Sequence, residues 1–171
     1  MLDLLKENDK EIHAIGKISD IFGGRGITSS VRTTGNEDGL NKTLEAMDKS
    51  FDGLCFVNLV DFDMLYGHRN NIQGYAEALS FFDSKIPNII EKLQNEDILV
   101  ITADHGCDPS TASTDHSREY TPMVMYGKNI KHGIDLGIRN CFGDIGATIL
   151  DYFNVKNKIT GTSFLKEVLS N

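Results

Sequence analysis

The chain has 171 residues, a formal net charge of -8 and a pI near 5.0, which argues against a nucleic-acid binder, whose footprint is a basic face. Cys55, Cys107 and Cys141 are widely spaced and form no CxxC pair, so no disulfide framework is expected and the setting reads as reducing and cytoplasmic. No apolar run approaches the roughly 18 residues of a membrane span, the N-terminus lacks a signal-peptide layout, and the composition suits one soluble globular domain with a substantial core.

Residues 1–11 are polar with a few leucines and suit a short helix. Residues 12–18 alternate well enough for a strand. Phe22-Gly23-Gly24-Arg25-Gly26 is a glycine-rich loop that fits neither dinucleotide nor Walker A spacing, so it reads as a connection. Asn36 is the expected N-cap of a helix to Ser50, with Glu37 and Asp38 in its first turn and Leu40, Leu44 and Met47 on one face. Residues 54–60 are apolar on both faces, the pattern of a central parallel strand covered on each side.

A helical pattern then runs from Ile72 to Gln94. Pro87 lies inside it and is expected to kink it or start a second helix. Residues 97–102 form the next strand. Residues 104–120 are a long polar loop, a length that usually carries function. Residues 121–126 make a third strand, 134–138 a short edge strand, 143–153 a helix and 163–169 a last one. The order β-α-β-α-β implies an α/β fold, a mostly parallel sheet with helices on both faces.

Two of these strands empty acids and histidines into loops at their C-terminal ends, where α/β sheets place ligand chemistry. The first leads to Asp61, Asp63 and His68; the second leads to Asp104 and His105, with His116 eleven residues on. Asp104 and His105 are adjacent, so they can share an ion only if the chain turns after the strand, which Gly106 permits. Mixed imidazole and carboxylate donors suit Zn²⁺ or Mn²⁺ better than Ca²⁺. Five such ligands exceed the three or four of one catalytic ion, so two metals are the better count. Asp61 can replace Asp63 on chemistry alone. Asp108 and Asp115 can be ligands or can orient a histidine. His13 and His132 read as solvated side chains.

Three blocks carry a more specific signal: residues 60–69 (VDFDMLYGHR), 101–109 (ITADHGCDP) and 114–122 (TDHSREYTP). With the closing block 142–153 (FGDIGATILDYF) they resemble the phosphopentomutase family of the alkaline phosphatase superfamily. The resemblance implies an alkaline-phosphatase-like core, here partial, with two Mn²⁺ ions at the C-terminal sheet edge. It implies that Asp63, His68 and His116 hold one ion, and that Asp104 and His105 hold part of the other. It prefers Asp63 to Asp61 by motif position, and places Lys17 near the substrate phosphate, a favourable charge-assisted contact.

The implied reaction interconverts (deoxy)ribose 1-phosphate and (deoxy)ribose 5-phosphate, so the implied partner is a pentose phosphate, with no nucleic acid and no membrane. The family's nucleophilic threonine, a further metal-binding aspartate and the cap domain have no counterpart here. Thr28, Thr33, Thr34, Thr111 and Thr114 do not sit in the nucleophile's context, so no catalytic residue is assigned. Residues 1–171 are therefore expected to be the C-terminal part of the core domain. Alone they are expected to be inactive, and to self-associate or bind a complementary N-terminal chain. A phosphohydrolase of the same superfamily, or an inactive metal-binding fragment, are the alternatives.

Overall fold

The computed structural model describes residues 1–170. Its strands are β1 (Glu11–Ile15), β2 (Ser29–Val31), β3 (Gly53–Val57), β4 (Leu99–Thr102) and β5 (Met123–Tyr126). Its α-helices are α1 (Leu2–Lys6), α2 (Ile18–Ile21), α3 (Asn36–Met47), α4 (Ile72–Lys92), α5 (Gly143–Tyr152) and α6 (Leu165–Val168). The α/β class is as expected, and the sheet is divided. One part is parallel, in the order β2-β1-β3; the other is the antiparallel pair β4-β5. The chain reverses between β4 and β5 through a connection with no crossover helix, so this pair departs from the expected parallel order.

Each part has its own core. In the first, Leu2 and Leu5 of α1 and Leu150 of α5 pack on Ile12, with Leu54 and Phe56 of β3 against them. In the second, Ile130, Phe164 and Val168 are buried against Ile98, Met123 and Met125. The two parts are tied by α5, whose Leu150 enters the first core while Tyr152 donates to the Glu96 carbonyl just ahead of β4. Asp144 on α5 anchors the C-terminal segment. It is buried and accepts from the Thr162 backbone N–H at 2.8 Å and from Arg139 Nε at 3.0 Å.

Several expectations change in detail. β1 stops at Ile15 because Gly16 turns left-handed at φ +80°, where a Cβ would lie 2.4 Å from the Asn58 carbonyl oxygen. That turn places Lys17 at the strand's C-terminal end, heading α2. β3 is half-buried along its whole length and pairs only with β1, so it is an edge among the described residues rather than a covered central strand. Helix α4 runs as one element through Pro87. No strand forms at 134–138; Gly133 and Gly137 both have positive φ, and the Gly137 N–H turns back onto Asp135 Oδ1. Asn36 is the first residue of α3 rather than its cap, and Gly35 stands before it. Among the described residues, no helix is long and apolar enough to cross a membrane.

Candidate metal centre

The loop after β3 is not irregular. It is a single π-helical turn, Phe62–Tyr66, followed by a 3-10 turn, Gly67–Arg69. Isolated π turns are uncommon and concentrate at functional sites. Here the pair carries Asp63 on the first turn and His68 on the second. Asn70, left-handed at φ 50°, ends the segment. Asn71 then caps α4 by accepting the Gly74 N–H at 2.9 Å.

The loop after β4 folds back on itself. The Ser117 N–H donates to the Gly106 carbonyl at 3.2 Å, which brings His105 and His116 together. Gly106 is required by close approach rather than by a left-handed turn. A Cβ there would meet the Glu119 N and O and the Ser117 O, each at 2.7 Å, and Gly106 is absent from the positive-φ glycines.

The two loops meet at one atom. Asp63 Oδ1 lies 3.1 Å from His68 Nε2, 3.3 Å from His116 Nε2 and 3.8 Å from His105 Nε2. Asp63, His68 and His116 each offer a donor atom within 4.8 Å of the others. The imidazoles of His105 and His116 stack with centroids 3.6 Å apart. Asp63 Oδ1 is buried and has no hydrogen-bond partner. A buried carboxylate oxygen without a donor is costly unless something positive sits against it. A divalent cation would satisfy that oxygen and the nitrogens around it.

The ring orientations agree. His68 Nδ1 lies 2.5 Å from the Thr114 carbonyl and His105 Nδ1 lies 3.0 Å from the Gly106 carbonyl. A carbonyl only accepts, so Nδ1 is the donor in both rings and Nε2 is the atom turned toward the cluster. Backbone partners that fix a ligand's tautomer in this way are typical of metal-binding histidines. These anchors, and the Asn70 side-chain amide donating to the Thr111 carbonyl at 2.6 Å, use backbone acceptors that leave no mark in a sequence.

The other candidates separate. Asp104 Oδ1 is 3.6 Å from His105 Nε2, and the Asp104 side chain is largely exposed, so Asp104 stands on the open side of the cluster while His105 is half-buried. Lys17 Nζ reaches Met64 Sδ at 2.8 Å, which puts its ammonium beside the π turn that carries Asp63. Asp61 faces away and binds the start of α3. Asp108 accepts from the Ser110 hydroxyl and backbone N–H, bonds that hold its carboxyl below the usual range. The Asp115 backbone N–H bonds Ser113 Oγ. His13 bonds Ser29 and Glu11, and His132 is exposed. Sequence reasoning gave no role to Cys107. Its sulfur fills the space beside Gly67, where a Cβ would come within 2.6 Å of it, and burial pushes its thiol up, with the Asp63 charge next.

A family model described as the metalloenzyme superfamily matches residues 8–157. The chain belongs to that superfamily. As a superfamily member it resembles curated relatives at high identity. A phosphopentomutase of Lachnoclostridium phytofermentans is 59% identical over 169 residues, covering 99% of this chain and 43% of that protein. One from Acetivibrio thermocellus is 55% identical over 169 residues, covering 99% of this chain and 44% of that protein. The chain thus spans less than half the length of these relatives. In structure it is similar to Leishmania mexicana phosphoglycerate mutase, with a TM-score of 0.71 at 16% identity, covering 95% of this chain and 38% of that one. At that identity the likeness supports the fold.

Proposed function

We propose that this chain is the C-terminal part of the core domain of a phosphopentomutase, and that Asp63, His68 and His116 hold one Mn²⁺ ion. The observation that carries this reading is the buried, unpartnered Asp63 Oδ1 facing three imidazole nitrogens, together with the identity to phosphopentomutases. Asp104 and His105 supply part of a second ion's shell, and the cap and N-terminal core segment lie outside these residues. When bound, the ions neutralise charge on a phosphoryl group and orient it.

The chain's own residues divide the work. His68 and His105 turn Nε2 toward the cluster, with Nδ1 anchored on a backbone carbonyl. Asp63 adds negative charge between them. Lys17, beside Met64, offers an ammonium to a pentose phosphate's phosphate group. None of Thr28, Thr33, Thr34, Thr111 and Thr114 is assigned as nucleophile, and a missing nucleophile is not replaced by binding. The chain alone therefore binds metal without turnover, in a cytoplasmic setting, and reaches activity with the rest of the protein, as one chain or as a complementary one.

Elemental analysis of the purified chain tests this. One manganese per chain is expected, lost in Asp63→Ala and His116→Ala. No bound metal, or ribose 5-phosphate turnover by this chain alone, would overturn it. In the complete protein, isomerised sugar phosphate supports the mutase, and release of free phosphate indicates a phosphohydrolase.

A further inference from the structure

The two carboxylates of Asp61-Phe62-Asp63 do different jobs. Asp61 is clasped to Asn36, 25 residues earlier in the chain. The Asn36 N–H donates to Asp61 Oδ2 at 2.6 Å, and the Asp61 N–H donates back to Asn36 Oδ1 at 3.0 Å. Asn36 is only 6% exposed. It opens α3, where the residue ahead of it, Gly35, has no side chain to cap the helix. Asp61 takes that place from 25 residues away. A carboxylate there also complements the positive end of a helix. The fit is close, because a Cβ on Gly35 would lie 2.8 Å from Asp61 Oδ2.

The clasp acts where the chain leaves β3 for the site. Asp61 is the residue ahead of the π turn, with helical φ -68° and ψ -30°. Both its side chain and its backbone N–H are held by Asn36. Its conformation sets the direction of the turn, and Asp63 sits two residues on, with Oδ1 in the imidazole cluster. We infer that Asp61 is a positioning residue: by binding the N-terminus of α3 it aims Asp63 at the ligand nitrogens. This rests on the metal-site reading for its binding consequence, but the aiming itself concerns the metal-free chain.

The test uses Co²⁺ titration of the 171-residue chain followed by its visible absorption, and crystal structures of the metal-free variants. Asp61→Ala is expected to weaken Co²⁺ by about 10- to 100-fold, the usual cost of losing a group that orients a ligand. Asp61→Asn keeps an acceptor for the Asn36 N–H and is expected to recover most of that loss. Asp38→Ala removes a different bond at the same helix end, to the Thr34 N–H. It is expected to lower melting temperature and leave Co²⁺ affinity and spectrum unchanged. In metal-free Asp61→Ala the contact between Asp63 Oδ1 and His68 Nε2 is expected to be lost.

Wild-type affinity in Asp61→Ala, alongside lost binding in Asp63→Ala, overturns the positioning role and leaves the metal site standing. If Asp63→Ala binds as wild type, the metal reading fails instead. If the wild-type chain takes no Co²⁺, the metal reading also fails, and an intact Asp63–His68 contact in Asp61→Ala then overturns the positioning role.

Discussion

Replacing Asp63 by Asn gives opposite effects with and without metal. Without metal, Asp63 Oδ1 is buried and lacks a hydrogen-bond partner, a condition that costs about 1–3 kcal/mol for an unsatisfied polar atom. Removing the charge relieves part of that cost, and a neutral amide keeps the shape. Asp63→Asn is therefore expected to melt at or slightly above the wild-type temperature in chelator. With metal at a hundredfold excess over its dissociation constant, the wild-type chain gains about 2.7 kcal/mol by mass action. For a domain of this size that gain corresponds to roughly 5–11 °C of melting temperature, and Asp63→Asn should show little of it. The assay is thermal unfolding followed by circular dichroism, in chelator and in Mn²⁺. Equal Mn²⁺ shifts in the two proteins, or a variant several degrees less stable in chelator, would refute the reasoning.

Gly106→Ala inserts a Cβ into the Ser117–Glu119 backbone, so it should lower stability by about 1–3 kcal/mol as overpacking does; calorimetric titration should show Mn²⁺ affinity falling with it as His116 moves. Asp144→Ala removes the acceptor for Thr162 and Arg139 and should cost about 2–3 kcal/mol in urea unfolding, the loss expected for hydrogen bonds to a charged group. The Thr162 N–H, ahead of Arg139, holds the Asp144 carboxyl below its usual range. Its folded pKa is thus lower than its unfolded one, so its contribution is complete above about pH 4 and fades as pH falls through the folded value; Asp144→Asn should flatten that acid limb. Lys17→Ala should leave Mn²⁺ affinity unchanged, since its ammonium contacts Met64 and no ligand, and should raise KM for the pentose phosphate in the complete protein.

The candidate site was more legible than the scaffold. Asp63, His68, Asp104, His105 and His116 stood out because apolar strands that end in acids and histidines form a local pattern. The choice of Asp63 over Asp61 rested on motif position; in the structure Asp63 lies beside the imidazoles and Asp61 bonds Asn36. That clasp joins residues 25 apart, so no local spacing could show it. The π turn at Phe62–Tyr66 has no propensity of its own to read. Strand β5 was placed correctly along the chain, but its direction depends on how the loop from 104 to 120 returns. The apolar run at 54–60 pointed to a covered strand; its residues are half-buried because β3 pairs on one side only. Gly106 was singled out for backbone freedom, and its use is the close approach of the 117–119 segment of the same loop.

The divided sheet has a consequence for how the molecule opens. Asp63 and His68 follow β3 of one part, whereas His105 and His116 follow β4 of the other. No strand ladder crosses between the parts among the described residues. An ion held by Asp63, His68 and His116 is thus a cross-link, and separating the two parts requires releasing it. Metal then changes which units unfold together, in addition to how much stability each has. In amide hydrogen exchange, the loaded chain would lose protection in β1–β3 and in β4–β5 more nearly together than the metal-free chain, in which α5 and the loop hydrogen bonds remain the ties.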